Sequence, residues 1–310
     1  MSGPTDAHDA HRLTGPAVHD TTDMKILVLG SAGDCSIAPW RCGCTQCACT
    51  PWDGQAATRR TQGSIAVSDD GDRWVLLNVS ADVRWQLQCN PQLHRHLRPG
   101  TSPIAAVVLT DARLEHVSGL LSLRDGPPLD LMATPAVFEE LTSGLPLLNR
   151  LDQHCGIRWH LVPVAGDLRM AEFQVSGVEG LRFRALALPD PDRHNGAAPD
   201  EGGVGDHIAL QVENLRDGRR LFYAPSPATP TGDAQHWMDD ADCLLVHGGV
   251  VDAGGAEAGV ARALSAATAR RKVLIHLDDC HPFLDRQSAE RRSLDAQGIE
   301  VAFDGMEIDL

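Results

Sequence analysis

The sequence predicts an α+β fold, a four-layer helix–sheet–sheet–helix (αββα) sandwich, and three observations carry that expectation. Short β-branched runs come in antiparallel groups with helices interspersed, which suits two stacked sheets better than one open doubly wound sheet. The 310 residues are 43% hydrophobic, enough to bury a large core. No apolar run approaches the ~20 residues that a membrane-crossing helix needs.

Residues 1–23 lack apolar periodicity and scatter three histidines among polar residues, so they read as a disordered leader before a single domain spanning 24–310. Order begins with Lys25-Ile26-Leu27-Val28-Leu29-Gly30, a β-branched run ending at glycine, as a buried strand does before a loop. Ser64–Ser68 and Trp74–Val79 flank Asp69-Asp70-Gly71-Asp72 and predict a hairpin. A helix is expected from Ala81 to Gln88. The buried run Ile104–Leu109 stops at Thr110-Asp111, ahead of a helix marked by Val117, Leu120 and Leu121. The alternation continues with a strand at Leu129–Ala133 and a helix over Ala136–Leu141, then strands at Arg158–Val162, Phe173–Val175 and Leu181–Ala187. A loop rich in Pro, Asp and Gly follows over 189–206, of the kind that rims active sites. Strands at Ile208–Val212, Arg220–Tyr223, Cys243–Val246 and Lys272–His276, with helices over Ala256–Ala266 and Ser288–Ala296, complete the pattern.

Charge narrows the function classes. Twenty-seven basic against 42 acidic residues leave a net charge of −15, which repels nucleic-acid backbones and anionic membranes. The N-terminal stretch lacks the apolar core of an export signal, so a cytoplasmic location is expected. The partner expected is a peptide or small-molecule substrate, and a homodimer is left open.

Four of the nine cysteines, Cys42, Cys44, Cys47 and Cys49, fall within eight residues. Cys42, Cys44 and Cys47 place three soft sulfurs on one tight loop, the spacing of a structural zinc knuckle that needs a fourth ligand from elsewhere. A surface loop of free or disulfide-bonded cysteines is the competing reading, and a reducing compartment disfavours it.

Several strings extend the argument beyond composition. Pro39-Trp40-Arg41-Cys42-Gly43-Cys44-Thr45-Gln46-Cys47, Arg60-Thr61-Gln62-Gly63-Ser64, Val108-Leu109-Thr110-Asp111-Ala112, Leu221-Phe222-Tyr223-Ala224-Pro225 and the final Gly298–Ile308 resemble the PqqB family of pyrroloquinoline quinone (PQQ) biosynthesis. The similarity runs from about residue 24 to the C-terminus. It implies a metallo-β-lactamase-type sandwich and a part in converting a precursor peptide to the cofactor, either as a carrier or as a metal-dependent tyrosine hydroxylase.

The resemblance also implies site residues. Related phosphodiesterases place the fourth knuckle ligand just after the strand that ends in a catalytic histidine, which points to His281; Cys35, Cys49, Asp279 and Cys280 stand as alternatives. Where catalytic superfamily members carry His-x-His-x-Asp-His, this chain reads Asp111-Ala112-Arg113-Leu114-Glu115-His116, so the first metal's histidines are replaced by Asp111 and Arg113. The second metal's set survives in type as Glu115, His116 and His276. Two histidines and a carboxylate suit non-haem Fe(II) or another divalent metal and leave positions open for O₂ or substrate. The family carries aspartate where Glu115 stands and an acidic residue at Arg113. Asp111 serves as an extra ligand, a base or a helix cap; Arg113 as a clamp on a substrate carboxylate or an exposed helix arginine. His247 stands where the family has aspartate and is either a compensating site residue or a structural one, and Asp278 is either a carboxylate orienting His276 or part of a solvated turn.

Overall fold

β1 (Lys25–Gly30) is apolar on both faces and therefore needs cover on both. Ile26 and Val28 enter one core cluster, while Leu27 and Leu29 enter another on the opposite face. The computed structural model describes residues 23–33, 60–94, 102–189, 203–226, 232–248, 257–278 and 281–310.

Among these, two sheets of seven strands each are formed. β1, β2 (Ser64–Ser68), β3 (Trp74–Leu77), β4 (Ile104–Val108), β5 (Leu129–Ala133) and β6 (Ile157–Leu161) make the first, completed beside β1 by the C-terminal β14 (Glu307–Asp309). β7 (Met170–Phe173), β8 (Leu181–Ala187), β9 (Ile208–Asn214), β10 (Arg220–Ala224), β11 (Cys243–His247), β12 (Arg271–Ile275) and β13 (Ile299–Val301) make the second in that spatial order. Each sheet is antiparallel on one side and parallel on the other, with the change at β3 in the first and β10 in the second. The two halves thus share a pairing plan that no sequence repeat announces.

Four layers result. Val28, Val67, Val75 and Leu77 of the first sheet meet Phe183, Leu210, Val212 and Leu245 of the second in the central core. The outer face of the first sheet packs against helices α1 (Val83–Cys89), α2 (Leu114–Val117), α3 (Pro135–Glu139) and α4 (Leu147–Asp152) through Val83, Val117, Val137 and Leu148. The outer face of the second is covered by α5 (Asp233–Asp239), α6 (Glu257–Ala266) and α7 (Ala289–Ala296) through Trp237, Leu264 and Leu294. Local chemistry agrees with these starts: the Thr134 and Ser288 side chains accept the Val137 and Arg291 backbone N–H groups at the openings of α3 and α7.

Several boundaries differ from the sequence expectation. The strand expected to reach Val79 stops at Leu77, because Asn78 turns to a φ of 63°, a conformation asparagine tolerates better than most residues. The strand expected at Phe173–Val175 lies at Met170–Phe173, and Val175 is buried in the turn beyond it. The helix expected over Ala136–Leu141 runs from Pro135 to Glu139 and continues as a wider turn to Gly144. Short helices α4 and α5, and the closing strands β13 and β14, were not foreseen from periodicity. The expected leader and the loop with Cys42, Cys44 and Cys47 lie outside the described residues, as does most of the 189–206 loop.

One carboxylate ties the chain ends to the rim of the sandwich. Asp304 accepts the Ser31 N–H at 3.0 Å, the Ser31 hydroxyl at 2.7 Å, and the Thr61 N–H and hydroxyl each at 2.7 Å. The Ser31 carbonyl in turn accepts the His276 N–H at 3.0 Å. The segment after β1, the segment before β2 and the end of β12 are thereby locked together.

Candidate metal centre

The carboxyl ends of β3, β4, β10, β11 and β12 gather at this rim, the usual place for ligands in sheets with parallel strands. His276 follows β12 with a φ of 58°, a left-handed backbone on a non-glycine residue of the kind that clusters at functional sites. Its ring lies against Gly63, where an added Cβ would stand 2.1 Å from its Cε1. His247 ends β11 and stacks on His276 with ring centres 5.8 Å apart and planes 7° from parallel. His116, on α2, meets His276 edge to face at 5.3 Å. All three rings are buried.

Asp111 backs His116. Its Oδ1 lies 2.7 Å from His116 Nδ1, and its Oδ2 lies 3.7 Å from His207 Nδ1. Burial would raise the Asp111 pKa, yet the charge and hydrogen bond of His116 outweigh it and hold the carboxyl well below the usual range. Burial likewise opposes a charged His116, but Asp111 outweighs it and raises that ring's pKa. The other two rings go the opposite way. Burial, with Arg113 and His116 nearby, pushes His247 down to about 3. Burial, with His116 and His247, holds His276 well below its ordinary value, so both are neutral at pH 7.

A polar chain joins the two sheets beneath these rings. Tyr223 on β10 places its hydroxyl 3.2 Å from His276 Nε2 and also bonds the Asn78 side chain. Asn78 donates to the Thr110 hydroxyl at 2.8 Å and accepts the Thr110 N–H at 2.9 Å, and the Thr110 hydroxyl lies 3.2 Å from Asp111. The phenol oxygen is thus held between the Asn78 side chain and His276 Nε2. Burial raises the Tyr223 pKa and keeps the phenol protonated.

The remaining expected residues are placed as follows. Arg113 Nε forms an ion pair with Glu115 Oε1 at 2.7 Å, beside the ring cluster. Both residues border a cleft of about 610 Å³ or stand next to its lining, which includes Arg113, Val137, Glu140, Asp206 and His207. Asp278 lies in the turn beyond β12 with its carboxylate against Gly33 and its carbonyl accepting the His281 N–H. His281 is fully buried, and its Nδ1 accepts the Phe283 N–H at 3.2 Å. Burial, with Arg60 nearby, lowers its pKa to about 4. Its expected thiolate partners lie outside the described residues.

The donor types fit a metal: buried imidazoles, two of them neutral and a third backed by a carboxylate, are what a divalent ion selects. The ring spacing fits as well, since two imidazoles on one tetrahedral ion at ~2.1 Å place their ring centres ~5 Å apart. The donor atoms do not. Among the described residues no three His, Cys, Asp or Glu side chains surround a common point. Glu115 is turned to Arg113, and His276 Nε2 faces the Tyr223 hydroxyl at 3.2 Å.

Comparison with known proteins follows the same lines. The Beta-lactamase superfamily domain matches residues 73–277. Coenzyme PQQ synthesis protein B of Pseudomonas paraeruginosa is 38% identical, and that of Methylococcus capsulatus 37%, each alignment covering 93% of this chain and 100% of the relative. The chain belongs to the PqqB family. The crystal structure of Zn²⁺-bound PqqB from Methylobacterium extorquens superposes with a TM-score of 0.74 at 30% identity, covering 92% of this chain and all of that one. A diphosphatase of the PhnP family, at 17% identity and a TM-score of 0.60 over 93% of this chain and 97% of that one, shares the fold alone. The metallo-β-lactamase fold and the family expected from the sequence are therefore both met.

Sequence reasoning missed Tyr223, Asn78, Thr110 and Asp304 as builders of the site. Tyr223 had one signal: it is the chain's only tyrosine, and it stands next to last in a strand that is apolar beyond Arg220. Asp304 had none, because its partners are more than 240 residues away.

Proposed function

We propose that this chain acts in PQQ biosynthesis as a metal-dependent hydroxylase of a tyrosine-containing precursor peptide, with a separate structural zinc in the cysteine loop. The observation that carries the reading is the meeting of His116 and His276, 160 positions apart in sequence, as buried rings 5.3 Å apart with Asp111 behind one of them. Family membership supplies the pathway, and the Zn²⁺ of the Methylobacterium relative supports a zinc in this chain too. The Asp111 and Arg113 substitutions speak against a dinuclear hydrolase, which uses two ions to clamp attacking and leaving oxygens. Glu115, His116 and His276 are the residues assigned to the second metal, with Fe(II) as the ion suited to O₂ chemistry. Ring hydroxylation takes one oxygen atom from O₂ and reduces the other to water, so an external electron donor is required. Asp111 fixes the His116 tautomer, and the cleft bordered by Arg113 and His207 admits the peptide.

A carrier without chemistry is the second reading, favoured by the engagement of Glu115 and His276 within the chain. Metal analysis of protein purified without oxygen, followed by O₂ uptake with a tyrosine-containing peptide and an added two-electron reductant, separates the two. Zinc with iron and peptide-dependent O₂ uptake is expected. Zinc alone, with no uptake after anaerobic Fe(II) reconstitution, rejects the hydroxylase. His116→Ala and His276→Ala are each expected to remove the second metal and spare the knuckle zinc.

A further inference from the structure

The donors assigned to the second metal are each held by another side chain, and the holders differ in kind. Asp111 holds His116 through Nδ1, the nitrogen that a ligating imidazole commonly gives to a carboxylate, so this contact is compatible with a metal at Nε2. The other two contacts are not of that sort. The Tyr223 phenol lies 3.2 Å from His276 Nε2 itself, while the Cε1–Nδ1 edge of that ring is pressed against Gly63. The Arg113 guanidinium lies 2.7 Å from Glu115 Oε1.

We infer that Tyr223 and Arg113 are built-in competitors of the metal, which set how tightly the centre binds it by occupying His276 and Glu115 in its absence. The inference rests on the metal reading above and goes beyond it. Tyr223 is well suited to the part. Its fully buried hydroxyl lies 3.2 Å from His276 Nε2, so a metal that takes this nitrogen deprives a buried polar group of a partner. Arg113 is suited for a different reason: its side chain is only 21% exposed and that of Glu115 only 14%, so their ion pair is weakly screened by water. A metal entering here must break both contacts, and the centre binds it more weakly than the same three ligands would without the competitors.

The test uses the full chain with its knuckle zinc retained, titrated without oxygen with Zn²⁺ and separately with Co²⁺ against a chromogenic chelator. Tyr223→Phe keeps the ring and removes only the hydroxyl; its affinity for the second equivalent is expected to rise about two- to tenfold. Arg113→Gln removes the ion pair and is expected to raise it by about tenfold, with the Co²⁺ absorption of each variant reporting the same three-ligand environment. If Tyr223→Phe does not fold, Arg113→Gln carries the test alone. Unchanged or weaker affinity in the folded variants overturns the competitor role while leaving the metal reading in place. No second equivalent of either ion in the wild type or the variants overturns both, and binding in the variants but not in the wild type supports the competitors.

Discussion

Removing the Asp304 carboxylate should both destabilise the chain and loosen the site. In Asp304→Ala, the Ser31 and Thr61 N–H groups lose their acceptor, and both residues are buried. Each orphaned donor costs about 1–3 kcal/mol. The two hydroxyls lose less, since Thr61 Oγ1 also accepts from Gln86 at 2.9 Å and Ser31 Oγ from Arg60 at 3.0 Å. A total of about 4 kcal/mol follows. Unfolding entropy near 2.1 cal/mol/K per residue gives about 0.65 kcal/mol/K for a chain of this length, so the melting temperature should fall by about 6 °C. The same substitution loosens the Ser31 backbone whose carbonyl holds the His276 N–H, so amide exchange at His276 should speed more than exchange in the β8–β9 pair far from the knot. Melting followed by circular dichroism, with hydrogen exchange by mass spectrometry, measures both. A drop of under about 2 °C, or exchange that quickens uniformly, would refute the knot as the element that positions His276.

Cys44→Ser is expected to lose one equivalent of zinc and to melt earlier, because structural zinc contributes folding energy; His281→Ala should match it in both respects, and full zinc retention there would place the fourth ligand elsewhere. Gly63→Ala forces a methyl to 2.1 Å from the His276 ring, so a loss of about 1–3 kcal/mol in urea unfolding is expected together with loss of the second metal. Burial pushes the Cys243 thiol up to about 12, which keeps it protonated and unreactive from pH 7 to 9. Peptide mapping after native alkylation across that range should find exposed Cys89 labelled and Cys243 unmodified until the protein is unfolded.

The sequence by itself determined the sandwich and the family, because those reside in local signals: apolar runs of strand length, turn residues between them, and motif strings that survive as contiguous text. It also determined which residue types stand at the site, since Asp111 through His116 form one short loop and His276 ends a readable strand. Only the tertiary structure decided what those residues touch. Tyr223, Asn78, Thr110 and Asp111 come from three strand ends on two sheets, and their hydrogen-bonded chain exists because β3, β4 and β10 finish at one rim. The pairing of Glu115 with Arg113 depends on side-chain direction over a single helical turn, which spacing leaves undetermined. Asp304 reaches Ser31 and Thr61 only because β14 returns to lie beside β1. Hydrogen bonds are short-ranged and directional, so a list of ligand-type residues is legible in sequence, whereas the partner each one holds is settled where distant chain ends meet.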